Sequence, residues 1–176
     1  MKNLVIGGDS KLGRSLADFL GCASTTRRQK GDFEKPEIFY DMSKSSPLVL
    51  PISDVIYLVA AITRFRDCEM DPDTYRVNVD ANVAIAGYCR KSHIVYVSSE
   101  AAMWPNQTAY GAQKRACELA LLAACGYDRL CIVRPNKIAP ETMLDLCDYL
   151  SRKGHMKASG TFNWKTEEVV RQQEAA

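Results

Sequence analysis

Leu4-Val5-Ile6-Gly7-Gly8-Asp9-Ser10-Lys11-Leu12-Gly13 is the stretch on which the rest of the chain is read. Three apolar residues run into a double glycine. From Leu12 the apolar positions recur with helical spacing, at Leu12, Leu16, Phe19 and Leu20, until Gly21 closes the stretch. A short apolar strand, a glycine-rich turn and an amphipathic helix, in that order, open a βαβ unit. The turn reads Gly7-x-x-Ser10-x-x-Gly13. Such a turn lets backbone N–H groups approach a pyrophosphate at a helix N-terminus. Its middle position holds Ser10 in place of glycine, and the Ser10 hydroxyl is a candidate donor to phosphate. A tight turn that binds nothing is the alternative at this motif.

Outward from that unit the alternation continues. Residues 22–26, 55–59, 94–97 and 130–133 read as further strands, the last stopped by Pro135. Residues 73–90, 109–124 and 142–151 have helical periodicity. Residues 157–164 are a candidate last strand weakened by Gly160, and 165–174 a polar terminal helix. The strands are nearly continuous in apolar character, which suits a parallel sheet covered on both faces. The expected fold class is α/β, a Rossmann-like doubly wound parallel sheet of five to six strands with helices on both faces. A chain of 176 residues is expected to be a single domain.

Composition excludes several function classes. The chain is 47% hydrophobic and 25% charged, as an ordinary globular domain is. A formal net charge of +2 makes no electrostatic case for nucleic acid or a membrane surface. No apolar run approaches the length of a membrane span. The N-terminus enters a strand directly and lacks a leader's cleavage region, so a cytoplasmic protein is expected. The seven cysteines are an odd count with no CxxC pair, and read as reduced, mostly buried thiols. His93 and His155 have no ligand-like spacing, so no metal is expected.

The end of the second strand bears on cofactor choice. A carboxylate there would bond the ribose hydroxyls of NAD; the chain has Thr25-Thr26-Arg27-Arg28 instead. A guanidinium suits a 2′-phosphate, which favours NADP over NAD. A solvated basic pair in a loop is the alternative. Asp41, beside Met42, is a candidate acceptor for the adenine amino group, or a loop residue. Later, Tyr110 and Lys114 stand at i and i+4, which puts phenol and ammonium on one helix face. The ammonium is expected to lower the phenol pKa toward neutrality and so make a proton-exchanging tyrosine. Val97-Ser98-Ser99 ends the fourth strand, where a hydroxyl can polarise the same substrate oxygen.

At this point the chain resembles the extended short-chain dehydrogenase/reductases, the group of NDP-sugar epimerases, dehydratases and 4-keto-sugar reductases. Among them it is most similar to the dTDP-4-dehydrorhamnose-reductase-like proteins. The resemblance spans residues 2–140. It rests on residues 6–13, Asp54 to Ala61, Asn78-Val79-Asp80-Ala81-Asn82, Val95 to Ser99, Tyr110 to Lys114, and Arg134 to Pro140. It implies a dinucleotide held by Gly7, Asp9, Ser10, Lys11, Leu12 and Gly13, with Thr26, Arg27, Arg28, Asp41 and Met42 at the adenosine. It implies further contacts from Val59, Ala60, Ala61, Asn78 and Val97, and from Pro135, Lys137 and Ile138 under the nicotinamide. Tyr110 becomes the acid/base, Lys114 its partner and a cofactor contact, and Ser99 the catalytic hydroxyl.

The implied function is an NAD(P)-dependent oxidoreductase or epimerase acting on a sugar-nucleotide-like or small keto or hydroxy substrate. A homodimer is implied too, through helices near 76–90 and 110–124, where Ala81, Ala84, Ala86, Ala116 and Ala120 permit close contact. Three departures stand beside this. Many family members carry the catalytic hydroxyl one position later, where this chain has Glu100. Only five residues separate Trp104 from Tyr110, which shortens a substrate loop. Residues 141–176 read as a vestigial substrate-binding segment. These departures motivate the alternative of a catalytically degenerate NADP-binding module that serves as a sensor or subunit; a structural module without cofactor is a third reading. Arg64 and Arg66, Trp104, and the basic set Arg152, Lys153, His155 and Lys157 are lesser candidates for substrate contact, or solvated and packing residues.

Overall fold

The computed structural model describes residues 1–28, 37–44 and 46–165. Seven strands form one wholly parallel sheet: β1 (Asn3–Ile6), β2 (Ala23–Thr26), β3 (Glu37–Phe39), β4 (Val55–Leu58), β5 (His93–Val97), β6 (Leu130–Pro135) and β7 (Gly160–Trp164). Their spatial order is β3-β2-β1-β4-β5-β6-β7. The helices are α1 (Lys11–Leu20), α2 (Phe65–Met70), α3 (Asp73–Tyr75), α4 (Ala81–Tyr88), α5 (Ala109–Cys125) and α6 (Met143–His155). A π turn, Arg76–Asp80, joins α3 to α4 without a break in helical backbone.

Side-chain alternation divides the core in two. In register, Leu4, Ile56, Ile94 and Leu130 form one row across the sheet. That row packs with Ile85 of α4 and Leu121 of α5. The next row, Val5, Tyr57, Val95 and Cys131, faces the other side. It packs with Leu16 of α1 and with Leu146 and Leu150 of α6. Both rows are fully buried, so the strands read as continuous apolar runs.

The sheet has seven strands where five to six were expected. The additional one is β3, three residues at the sheet edge with an exposed Phe39. A segment that short and half-exposed carries no measurable period. The candidate strand at 157–164 is β7, which begins at Gly160 (φ 115°) and pairs with β6. The expected helix over 73–90 is interrupted by the π turn, and α2 was not anticipated. The polar terminal helix expected at 165–174 lies, beyond Lys165, outside the described residues. No helix among the described residues is long and apolar enough to cross a membrane.

Candidate dinucleotide site and acid/base centre

The strand order reverses direction between β1 and β4, and the turn after β1 opens beside that switch point. Gly7 stands at φ 105°, and a Cβ there would lie 2.7 Å from the Ala60 Cα. Only glycine lets the turn rest on the end of β4. Ser10 caps α1: its hydroxyl accepts from the Gly13 N–H (3.0 Å) and donates to the Gly7 carbonyl (2.9 Å). The hydroxyl therefore closes the turn, with its proton given to the Gly7 carbonyl. The first intrahelical N–H bond is that of Arg14 to the Ser10 carbonyl. The N–H groups of Lys11 and Leu12 thus have no intrahelical acceptor.

A cavity of about 420 Å³ lies over this turn. That volume is in the range of small-ligand sites, about 300–1,000 Å³. Of the sequence-derived candidates, Gly7, Asp9, Ser10, Thr26, Arg27, Asp41, Met42, Ala60 and Ala61 line it. Thr25, Tyr40, Ser43, Ile62, Asp71, Asp73 and Val77 line it as well and were not singled out from sequence. Asp71 and Asp73 sit at the α2–α3 junction, and only a position after β4 in the chain could have flagged them.

Asp9 ties the turn to the end of β2. Its carboxylate accepts from the Thr26 hydroxyl (2.7 Å), the Arg27 N–H (2.8 Å) and the Arg28 Nε (3.1 Å). Partial burial works against its charge, yet the Arg27 N–H, the Thr26 hydroxyl and the Arg28 guanidinium hold it below the usual carboxylate range. Arg28 is thus ion-paired within the protein and does not line the cavity, whereas Arg27 does. Asp41 Oδ1 accepts both the N–H (2.9 Å) and the hydroxyl (2.6 Å) of Ser43, which builds it into a local turn. The Ser43 hydroxyl is the main cause holding its carboxyl low.

The second group of candidates gathers at the C-terminal end of β5. Thr108 caps α5 by accepting from the Gly111 N–H (3.0 Å), and Tyr110 and Lys114 follow one turn apart. A Cβ on Gly111 would stand 2.6 Å from the Ala101 carbonyl oxygen, so glycine lets α5 close on the turn after Ser99. Ser99 stands near the Tyr110 hydroxyl and lowers its pKa, and the Ser99 oxygen accepts from the Ala101 N–H (3.2 Å). The Lys114 Nζ donates to the Val97 carbonyl (2.9 Å) and lies 4.8 Å from the Tyr96 ring centroid and 5.8 Å from that of Tyr110. The structure corrects the expected electrostatics. Burial pushes the Tyr110 phenol up to about 12, against the lowering effect of Ser99. Burial likewise brings the Lys114 ammonium down to about 8. Phe65 of α2 packs on Tyr110 with ring centroids 5.7 Å apart.

Two buried braces were not read from sequence as such. Asn78, a sequence-derived cofactor candidate, is instead buried in the π turn. It accepts from the Ile62 N–H (2.8 Å) and donates to the Ile62 carbonyl (3.0 Å) and the Gln113 side chain (2.7 Å). It fixes the strand end that lines the cavity and does not itself line it. Glu118, one turn beyond Lys114, accepts from Ser98 (2.6 Å), from Arg134 Nε (2.8 Å) and Nη2 (2.6 Å), and from Arg115 (3.1 Å). Burial opposes its charge, but Arg134 and Ser98 hold its carboxyl low. The pair anchors the last residues of β6 before the candidates Pro135, Lys137 and Ile138. Pro135 is buried, and Lys137 and Ile138 are exposed.

The remaining candidates do not converge. Leu12, Gly13, Val59 and Val97 belong to the packed shell behind the turn and sheet. Arg152 pairs with Asp148 and Lys153 lies 3.3 Å from the Phe162 ring centroid, so these two of the basic set are taken up locally, while His155 and Lys157 are exposed. Trp104, Arg64 and Arg66 are exposed. Among the described residues no group of three metal-ligating side chains occurs.

Comparison with known proteins follows from this geometry. No protein-family model matches the chain, and no curated protein matches it in sequence. Solved structures do match in shape. The dTDP-4-dehydrorhamnose reductase of Clostridium acetobutylicum superposes with TM-score 0.72 at 19% identity, covering 93% of this chain and 74% of that one. The chain shares the Rossmann-like α/β fold of that reductase. The dTDP-4-dehydrorhamnose reductase of Bacillus anthracis, solved with NADP, matches with TM-score 0.72 at 16% identity, over 93% of this chain and 75% of that one. MoeE5, solved with UDP-glucuronic acid and NAD, matches with TM-score 0.74 at 16% identity, over 94% and 76%. Within this fold, the cavity and the Tyr110 cluster stand on the same carboxyl edge of the sheet, on either side of β4.

Proposed function

We propose that the protein is an NADP-dependent oxidoreductase that reduces a carbonyl of a sugar-nucleotide-like or small keto substrate, or an epimerase working through the same centre. The observation that carries this is the Ser99–Tyr110–Lys114 cluster at the end of β5, beside a cavity built on a turn that a Cβ at Gly7 would fill. That turn, the volume of the cavity and the Arg27 guanidinium on its wall fit a nicotinamide dinucleotide. When bound, the dinucleotide supplies or accepts a hydride.

The protein's own part is proton handling and positioning. With its pKa near 12, Tyr110 keeps its proton at neutral pH and is set to donate it to a substrate oxygen. Ser99, beside the same phenol, is placed to hold that oxygen in line. Lys114, anchored on the Val97 carbonyl, places a titratable cation behind the phenol ring, where it favours the phenolate left by proton transfer. Asn78 and Glu118 hold the flanking strand ends, and their role is structural support. Exposed Tyr88 of α4 and Leu119 of α5 suit the paired-helix homodimer that the family resemblance implies.

A second reading, a nucleotide-binding module without turnover, draws on the depth of the centre: Tyr110 is 9% exposed and Lys114 2%. One experiment separates the two. Purified protein is given NADPH with a 4-keto sugar nucleotide and with a panel of small ketones, and NADPH oxidation is followed beside the Tyr110→Phe variant. Turnover that falls by about 100-fold or more in the variant, with NADPH binding kept, supports the enzyme. Binding with no turnover on any substrate supports the module. Turnover unchanged in the variant refutes the role of Tyr110.

A further inference from the structure

We infer that Asp9 is the residue that decides between a dinucleotide with a 2′-phosphate and one with a free 2′-hydroxyl, working against Arg27; the inference rests on the dinucleotide reading above. In sheets of this kind a carboxylate at the end of the second strand bonds the ribose hydroxyls, and a guanidinium in that region accepts the 2′-phosphate. The chain of β2 carries only Thr25, Thr26, Arg27 and Arg28 there, which on sequence alone favours the phosphate. The structure brings a carboxylate to the same place by another route. Asp9, from the turn after β1, reaches across to Thr26, Arg27 and Arg28 with three bonds of 2.7, 2.8 and 3.1 Å. Its carboxylate lines the cavity beside Arg27.

Two consequences follow. The Arg28 Nε is engaged by Asp9 and must share its charge with that partner before it can meet a phosphate. A 2′-phosphate entering beside Arg27 would also stand next to a like charge. NADPH is therefore favoured by Arg27 and penalised by Asp9, and the protein binds both dinucleotides with a narrow preference. Removing one unit charge about 6 Å from the phosphate, at an effective dielectric of about 40 on an open cavity wall, moves binding by roughly tenfold.

The test is calorimetric titration of NADPH and NADH against wild type and Asp9→Asn, with no substrate present. Asparagine keeps one oxygen to accept from the Arg27 N–H, and its amide N–H can donate to the Thr26 hydroxyl, which rotates to accept, so the turn is retained while the charge goes. The expected result is a rise of about tenfold in the NADPH-to-NADH affinity ratio, carried by tighter NADPH. The ratio is taken within each protein, so a general loss of folded material cancels. Asp9→Ser, which removes the charge with a shorter acceptor, is the second variant and must move the ratio the same way. A ratio unmoved in both variants, with both nucleotides binding wild type, overturns the role of Asp9 and leaves the dinucleotide site standing. Failure of wild type to bind either nucleotide overturns the site and the inference together.

Discussion

Lys114 offers a stability measurement that needs no substrate. Its side chain is 2% exposed, and burial brings its pKa from 10.5 to about 8. Each tenfold in a proton equilibrium is about 1.4 kcal/mol, so well below pH 8 the charged amine costs the fold about 3 kcal/mol relative to the unfolded chain. Between pH 8 and 10.5 the folded chain has lost this proton and the unfolded chain has not. The unfolded state then binds more protons, and this contribution to stability rises with pH. Lys114→Met keeps the length and removes the charge. It also gives up the 2.9 Å bond to the Val97 carbonyl, worth about 1 kcal/mol. The variant should be about 2 kcal/mol more stable than wild type near pH 7 and about level with it near pH 9.5. Urea unfolding of both proteins at the two pH values, with thiols kept reduced, reads this gap. Burial also pushes up Cys22, Cys131 and Cys147, which are not coupled to Lys114 and drop out of the difference; Cys68 and Cys117, whose thiols Lys114 lowers, are replaced by alanine in both proteins. A gap that is the same at both pH values would show that the amine reaches water, and would refute the account of a costly buried cation behind Tyr110.

Two further outcomes can be checked by the same unfolding curves. Gly7→Ala should cost on the order of 3 kcal/mol, from a positive φ and the approach to Ala60 together, whereas Gly21→Ala, at φ 58° with open space around its Cβ, should cost only about 1 kcal/mol; equal costs would mean that the turn does not rest on β4. Glu118→Ala leaves Arg134, 14% exposed in its side chain, without its carboxylate, and should cost about 3–5 kcal/mol; a loss under about 1 kcal/mol would show that the pair is wet.

The parallel sheet was legible because each central strand is apolar on both faces, and Leu4-Val5-Ile6, Val55 to Leu58 and Ile94 to Val97 state that directly. β3 was not legible: three residues with one exposed side chain hold no pattern. Tyr110, Lys114 and Ser99 could be found because their spacing is local or their place is a strand end. The bonds of Asp9 could not. An aspartate in a turn reads like any other polar turn residue, and its partners lie 17 to 19 positions away. Asn78 was visible as a motif member, but its work is bonding across to Ile62 and Gln113, which only the packed fold reveals. The electrostatics of Tyr110 were misjudged for a related reason. The sequence shows the cation that lowers a phenol pKa and hides the burial that raises it.

The π turn at Arg76–Asp80 makes one rod serve two orientations. An extra residue in a turn rotates everything after it by about 100° about the helix axis relative to an unbroken α-helix. Upstream of it Thr74 meets Gln113, and downstream Ile85 and Ala86 meet the sheet. The Asn82 amide spans the widened turn by donating to the carbonyls of Val77 (3.3 Å) and Asn78 (3.1 Å). A one-residue deletion within this rod would therefore act as a twist and not as a shortening. It would turn Ile85 away from Leu121, and at the turn itself it would move Val77 out of the cavity wall and Asn78 off Ile62. Insertions and deletions should accordingly be tolerated around the exposed Pro51 and Ile52 and rejected between 76 and 80.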